Sequence, residues 1–196
     1  MRRTILVLLA ILGFQLCGAR QAAADEVVYV EASIGIGTLN GTPFTDVPVT
    51  ISLYGDTANV TCSGGICENT VTLAVVSIGG TTVEFTDTVA AFDNQSVGVA
   101  GITDVSTSTD ILDTSAPAFA TYGLTTSIGP IEGTGEFNPG ATFGTTGGPL
   151  IFTGALESAG FAATVVPSVA APEPSSLLLL GTSIMGLGLI RRLRKI

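Results

Sequence analysis

The basic residues of this chain lie only at its two ends. All seven Lys and Arg residues either precede Gln21 or follow Ile190, and the 196 residues include no His. All 16 carboxylates lie between Asp25 and Glu173, so the segment between the ends is uniformly anionic. An anionic surface without cations repels phosphate backbones and cannot replace their counterions. The charge distribution therefore excludes nucleic acid as a partner and divides the chain into one domain of ordinary size and two short ends.

The N-terminal basic residues flank an apolar run. Arg2 and Arg3 precede the sequence TILVLLAILGFQL, and Ala22 and Ala24 provide the small residues of an A-x-A cleavage site. A short charged region, an apolar region and small residues before the cut are typical of a secretory signal peptide. We therefore predict a signal peptide over residues 1–24 that signal peptidase removes after Ala24. The alternatives are a buried core helix and an uncleaved membrane anchor.

The C-terminal basic residues follow a second apolar run. Residues 175–190 contain no charged side chain and, as a helix, would span about 24 Å. This is slightly less than the ~30 Å hydrocarbon core, so we expect Leu193 and the long Arg side chains to complete the span. The basic residues after the run are Arg191, Arg192, Arg194 and Lys195. The positive-inside rule places residues 191–196 in the cytoplasm and the acidic domain outside. Apolar side chains on every face favour lipid over a groove on the domain.

A short proline motif precedes this second run. Pro172, Glu173 and Pro174 are followed by SSLLLLGTSIMGLGLI and then by RRLRK. These three parts resemble the PEP-CTERM sorting signal of exported bacterial proteins, which here covers residues 172–196. The prolines disfavour helix and remove backbone donors, so the motif is expected to be extended and accessible.

The resemblance implies a route for the protein. The apolar helix and basic stop would hold a precursor in the inner membrane with its domain in the periplasm, while the membrane protease exosortase acts near Pro-Glu-Pro. The mature domain would then reach the cell surface or extracellular matrix. The resemblance also implies a Gram-negative host that makes exopolysaccharide, as in biofilms. Because it covers only the tail, it implies nothing about the chemistry of the main domain.

The domain between the ends, residues 25–171, is rich in Thr, Gly, Ala and Val. Residues Val47, Val49, Ile51 and Leu53 alternate with less apolar neighbours, which is the period-two pattern of a half-buried strand. Gly79 and Gly80 separate two further strand-like runs, which is typical of a tight hairpin. Similar runs recur at short spacing without a helical period. The sequence predicts an all-β domain, an antiparallel β-sandwich or jelly roll of roughly 8 to 10 strands.

The cysteines Cys62 and Cys67 are the only two in the exported domain. Export would place them in an oxidising space, and the two glycines between them allow the chain to turn back, so we predict a disulfide. Free thiols are the alternative. A zinc site is disfavoured because it normally takes four nitrogen or sulfur ligands and the domain has no His.

The absence of His and Lys from the domain restricts its chemistry. Nucleophilic sites of the Ser-His-Asp, Cys-His and Ser-Lys kinds all lack their base. Two-carboxylate glycoside hydrolysis remains open, with Glu84 and Asp87 or Asp110 and Asp113 as candidate pairs. Trp, the usual platform for sugar stacking, is also absent. We therefore predict that the protein is not an enzyme.

Calcium is the one cofactor that the residue types suggest. Asp104, Asp110 and Asp113 in TDVSTSTDILDT, and Asp93 and Asn94 in FDNQS, offer hard oxygen ligands in loop-like sequences. Their spacing matches no EF-hand, and simple hydration of surface acids is the alternative. The resulting prediction is a non-enzymatic structural domain of the cell envelope or matrix, associated with exopolysaccharide. A calcium-dependent polysaccharide-binding module or a carboxylate-based enzyme acting on glycans is the alternative.

Overall fold

Extended strands make up most of the chain that the computed structural model describes, residues 24–154 and 158–168. In chain order, β1 to β13 are Glu26–Leu39, Thr42–Asp56, Thr61–Ser63, Ile66–Thr70, Leu73–Ile78, Thr81–Glu84, Val89–Asn94, Val99–Asp104, Thr109–Ser115, Ile128–Phe137, Thr142–Phe143, Leu150–Phe152 and Ala159–Val166. Two short 3-10 segments lie at Thr57–Asn59 and Pro117–Thr121. The predicted all-β class is confirmed for these residues.

The strands form one open antiparallel sheet of 13 strands, with β3 and β6 at the two ends of its main path. Strand β10 joins the two halves of this sheet. Its residues from Ile128 to Gly133 pair with β13, whereas those from Thr134 to Phe137 pair with β9. We call β3, β4, β7, β8 and β9 the second section, and the other strands except β10 the first section. The pairing is therefore continuous, and does not form the two unconnected sheets of the predicted sandwich.

Both sections contribute to one hydrophobic core. The alternation predicted for β2 is observed, because Val49, Ile51 and Leu53 are fully buried while the residues between them are partly exposed. Buried side chains of the second section, such as Ile102 and Leu112, belong to the same core. Burying each aliphatic side chain of this size stabilises the fold by roughly 1.5–3 kcal/mol. The sheet is thus held in shape by apolar contact between the inner faces of its sections.

Two local predictions agree with the structure. Gly79 and Gly80 connect β5 to β6 with φ of 55° and 90°, values that favour glycine, so the expected hairpin is present. The predicted disulfide between Cys62 and Cys67 is also present, and the two residues lie directly opposite each other in β3 and β4.

The first and last strands of the domain, β1 and β13, are paired neighbours in the sheet. Glu26 at the start of β1 lies opposite Val166 at the end of β13. Residues 24–167 form one compact unit. The predicted membrane-spanning residues 175–190 and nearly all of the predicted signal peptide lie outside the described residues. Within the described ranges, no helix is long and apolar enough to cross a membrane.

We predict that replacing both Cys62 and Cys67 by Ser lowers the free energy of unfolding by about 2 kcal/mol, because the unfolded chain gains the entropy of a short open loop. Urea unfolding followed by circular dichroism measures this change, with Ser63→Ala in the same edge strand as the control. The folded spectrum should remain that of a β-protein. Equal unfolding midpoints for the double variant and the control would contradict the prediction.

Candidate functional site

Carboxylates dominate the chemistry of the domain, because the described residues contain no Lys, Arg or His. A buried carboxylate in this part of the chain therefore finds no basic side chain with which to pair. It must be hydrogen-bonded by hydroxyl or backbone donors, or remain neutral. The positions of the predicted acidic site residues follow from this restriction.

Asp104 stabilises the turn between β8 and β9. Its Oδ1 accepts hydrogen bonds from the Ser106 backbone N–H at 2.8 Å and from the Ser106 hydroxyl at 2.6 Å. Its Oδ2 accepts a bond from the Thr107 hydroxyl at 2.9 Å. Burial acts to raise the pKa of Asp104, but these hydrogen bonds from Ser106 and Thr107 outweigh it and the pKa is lowered. Both oxygens of the Asp104 carboxylate are thus hydrogen-bonded within the turn.

Asp110 and Asp113 lie together on β9. A register shift between Ile102 and Thr103 of β8 places Asp110 opposite Thr103 and Asp113 opposite Gly101, so both carboxylates are on one face. Glu136 of β10 is directly opposite Asp113. We call Asp110, Asp113 and Glu136 the acidic row.

The members of the acidic row repel one another. Burial, followed by the charges of Asp110 and Glu136, raises the pKa of Asp113 to about 6. Burial also raises the pKa of Asp110, with a smaller contribution from Glu136 and Glu68. Ionisation of Asp110 and Asp113 therefore destabilises the folded domain.

The three residues predicted to bind calcium are not brought together. Asp110 and Asp113 are neighbours, but Asp104 faces its own turn. In residues 24–154 and 158–168, no group of three or more acidic or cysteine side chains is placed to hold a metal ion. Sequence spacing could not anticipate this, because it depends on the turn that Ser106 and Thr107 close.

The other candidate pair lies beside a surface cleft. Glu84 and Asp87 both line it, together with Thr72, Phe85 and Thr88. Asp87 accepts a short hydrogen bond from the backbone N–H of Gly144. The Asp87 carboxylate therefore ties the segment after β6 to the loop after β11, which is a structural role.

Sequence reasoning did not predict that two carboxyl groups are buried, and it assigned one of them, Asp93, to a calcium-binding loop. Glu31 of β1 is fully buried; its Oε1 accepts a 2.9 Å hydrogen bond from the Thr114 hydroxyl of β9, and its Oε2 has no partner. Burial is the largest cause that raises the pKa of Glu31 well above its ordinary value. Asp93 of β7 is also fully buried, and neither of its oxygens has a hydrogen-bond partner. Burial raises the pKa of Asp93 to about 7.

A signal for these groups exists in the sequence. Counting by twos along EVVYVEASIG places Glu31 on the same face as Val27 and Tyr29, which are core residues. The same count along VAAFDN places Asp93 with Val89 and Ala91. An acid on the apolar face of a strand is therefore the pattern that indicates a buried carboxyl group.

We predict that Asp113→Asn raises stability at pH 8 by roughly 1 kcal/mol, because the variant removes a carboxylate whose ionised form is disfavoured in the folded state. The pKa of Asp113 is raised, so its penalty is absent below the ordinary value near 4 and grows as the pH rises through about 6. Thermal unfolding at pH 4 and pH 8 measures the difference. An equal effect at both values would contradict the assignment.

Asp104→Asn should have the opposite effect on stability from Asp113→Asn, because the pKa of Asp104 is lowered and that of Asp113 is raised. Its lowered pKa means that the ionised form stabilises the fold at neutral pH and that this contribution is lost as the pH falls through the folded value. We expect the variant to destabilise the domain at pH 8 by roughly 1 kcal/mol through weaker bonds from Ser106 and Thr107. Thermal unfolding under the same conditions tests this, and a stabilised Asp104→Asn protein would refute it.

Comparison with known proteins identifies the C-terminal tail. No curated protein and no solved structure matches the chain. A family model does match residues 170–195, which include Pro172, Glu173, Pro174 and the basic cluster at 191–195. The match confirms the resemblance seen in the sequence and covers the tail alone. The chain therefore contains a C-terminal PEP-CTERM protein-sorting motif, the mark of an exported, membrane-associated precursor that exosortase sorts.

Proposed function

We propose that the β-domain is a non-enzymatic component of the cell surface or extracellular matrix that associates with exopolysaccharide. The observation that supports this most directly is the sorting motif at residues 170–195. Its tail would anchor the precursor transiently in the inner membrane through residues 175–190, with signal peptidase and exosortase removing the two ends. The domain itself would remain as the exported product.

The sheet is suited to removal of the tail. Strand β13 ends at Val166, and only residues 167–171 separate it from Pro172. Five residues span at most about 18 Å, so a protease acting at Pro-Glu-Pro would work close to the folded domain. Cleavage there would break none of the strand pairs that the structure describes, the last of which involves Val166.

The placement of the carboxylates supports a non-enzymatic role. Glu31 and Asp93 are fully buried and so have no access to a substrate. Asp87 and Asp104 accept hydrogen bonds from the backbone of Gly144 and Ser106. A glycosidase needs two accessible carboxyl groups on either side of the scissile bond. Of the four acids that sequence reasoning considered for catalysis, Asp87 has a structural partner instead.

The outer face of the first section supports contact with a neutral sugar polymer. Thr50, Ser77 and Thr82 lie opposite one another in β2, β5 and β6 and form a row of hydroxyl groups. The same row continues on the other side of Thr50 through the small residues Ala32 and Gly160. Hydroxyls both donate and accept, which suits hydrogen bonding to sugar hydroxyls on a flat surface. The acidic character of the domain would repel anionic polysaccharides.

A calcium-dependent polysaccharide-binding module is the second candidate. The charges of the acidic row favour it, because a divalent cation shared between these residues and an anionic polymer would relieve their repulsion. The polymer would have to provide ligands, since the described side chains do not by themselves form a metal site. In this case the domain would bind an anionic polymer with calcium between the two.

We predict that changing Pro172, Glu173 and Pro174 to Ala leaves unprocessed precursor in the inner membrane. Helix would then be allowed through the motif, and the extended segment that exosortase requires would be lost. Fractionation with mass spectrometry of the mature termini measures the outcome. The control is Pro167→Ala, a proline outside the motif, which should be processed normally. Unchanged mature mass and location in the triple variant would refute the proposal.

We also predict that the purified protein co-sediments with dextran, a neutral glucan, and that changing Thr50, Ser77 and Thr82 to Ala reduces the bound fraction several-fold. Ser115→Ala with Thr134→Ala, a facing hydroxyl pair of β9 and β10, is the control and should bind normally. Retention on alginate only in millimolar calcium would favour the second candidate. Failure to bind either polymer would contradict an association with polysaccharide.

A further inference from the structure

A negative charge on Asp93 would have no partner among the described residues of the domain. The residue is fully buried in β7, and neither carboxylate oxygen has a hydrogen-bond partner. No basic side chain exists in the described part of the chain to balance a negative charge there. An isolated buried carboxylate is strongly disfavoured relative to its neutral form. The neighbouring atoms therefore decide which form of Asp93 is present.

Each neighbouring element presents an uncharged side to Asp93. In the strand pairing, Cys67 of β4 and Ala100 of β8 lie directly opposite it, and Cys67 is in the disulfide. The titratable groups nearby are Tyr122, which follows the 3-10 segment Pro117–Thr121, and Tyr29 of β1. A further buried carboxyl group, that of Glu31, accepts a hydrogen bond from Thr114. Thr114 lies opposite Ala100, on the side of β8 away from β7.

Two further buried atoms in this region lack partners. They are the Oδ1 of Asn69 and the hydroxyl of Tyr122. Asn69 lies diagonally across from Asp93, since its register partner in β7 is Ala91. Its amide nitrogen donates to the Tyr29 hydroxyl at 2.8 Å and to the Asp56 carbonyl at 3.2 Å, which fixes the amide and leaves Oδ1 free. The negative charge of Asp93 contributes to raising the pKa of Tyr122, after burial and the effect of Tyr29.

This region can hold Asp93 without water only when the carboxyl group is neutral. The Asp93 oxygens, Asn69 Oδ1 and the Tyr122 hydroxyl make no hydrogen bond with one another, so no donor stabilises a charge on Asp93. An ionised carboxylate accepts only, and the free atom of Asn69 is itself an acceptor. Ionisation of Asp93 would therefore require water to enter or the Tyr122 side chain to move.

Tyr122 lies in the part of the chain that connects β9 to β10. Its ring contacts Phe119 and Phe161 with centroid distances of 6.4 Å and 6.0 Å. Its backbone carbonyl accepts a short hydrogen bond from the Gln95 side chain, two residues after Asp93. The 3-10 segment Pro117–Thr121 packs against β7 and β8, and we call residues 117–122 the cover segment.

We propose that Asp93 is a proton-operated latch: its neutral form keeps the cover segment closed on β7 and β8, and its ionisation lets the segment open and admit water. Burial raises the pKa of Asp93 from 3.8 to about 7, which agrees with this geometry. Because the folded value is raised, the contribution of the latch is complete below pH 4 and is lost as the pH rises through about 7. An exported domain would meet this range in its surroundings.

Hydrogen–deuterium exchange on the purified full-length chain in detergent tests the latch. We expect the exchange rate of residues 116–124, corrected for the intrinsic pH dependence, to rise more than tenfold between pH 5.5 and pH 8, with a midpoint near 7. Asp93→Asn should make this rate independent of pH, because Asn is neutral throughout. Glu31→Gln, at the other buried carboxyl group, should leave the pH dependence of this segment intact.

Several results would overturn the proposal. A wild-type segment with no pH dependence would do so without any variant, so the test holds even if Asp93→Asn does not fold. Unchanged pH dependence in Asp93→Asn would show that another group titrates. Protection restored at pH 8 by calcium in the wild type but not in Asp93→Asn would show that a metal ion, and not a proton, neutralises the site.

Discussion

The exported part of this protein has no positive side chain, and the rest of its structure follows from that restriction. Where other proteins satisfy inner carboxylates with Arg or Lys, this domain uses hydroxyl and backbone donors. Ser106 and Thr107 satisfy Asp104, Thr114 satisfies one oxygen of Glu31, and the N–H of Gly144 satisfies Asp87. The abundance of Thr and Ser thus provides donors as well as β-propensity. A carboxyl group without a donor, such as that of Asp93, can be neutralised only by a proton or an ion from the solvent.

The same restriction shapes the join between the two sections of the sheet. Apolar contact provides most of the stabilisation there, and the polar bonds across the interior are few and neutral or singly charged. Tyr29 of the first section donates to the carbonyl of Leu124 at 2.8 Å and accepts from Asn69 of the second section. Glu31 and Thr114 make a second bond between the sections. Because such bonds need defined geometry, they select one alignment of the sections among the many that apolar contact alone would allow.

Much of the local structure could be predicted from the sequence, because it depends on neighbours along the chain. The alternation in β2, the Gly79-Gly80 hairpin and the Cys62–Cys67 pairing are of this kind. The continuity of the sheet through β10 could not, since it depends on a change of partner strand between Gly133 and Thr134 that nothing in the local sequence marks. The common face of Asp110 and Asp113 likewise depends on a register shift. The burial of Asp93 was missed because acids are ordinarily assigned to the surface.

The two ends and the domain can also be understood together. The ends contain all seven basic residues, and in the proposed route signal peptidase and exosortase would remove both of them. After processing, the new α-amino group would be the only positive charge on a chain with 15 carboxylates in residues 25–171. A domain built in this way takes its counter-charge from its surroundings, which makes protons in the medium a natural control on Asp93.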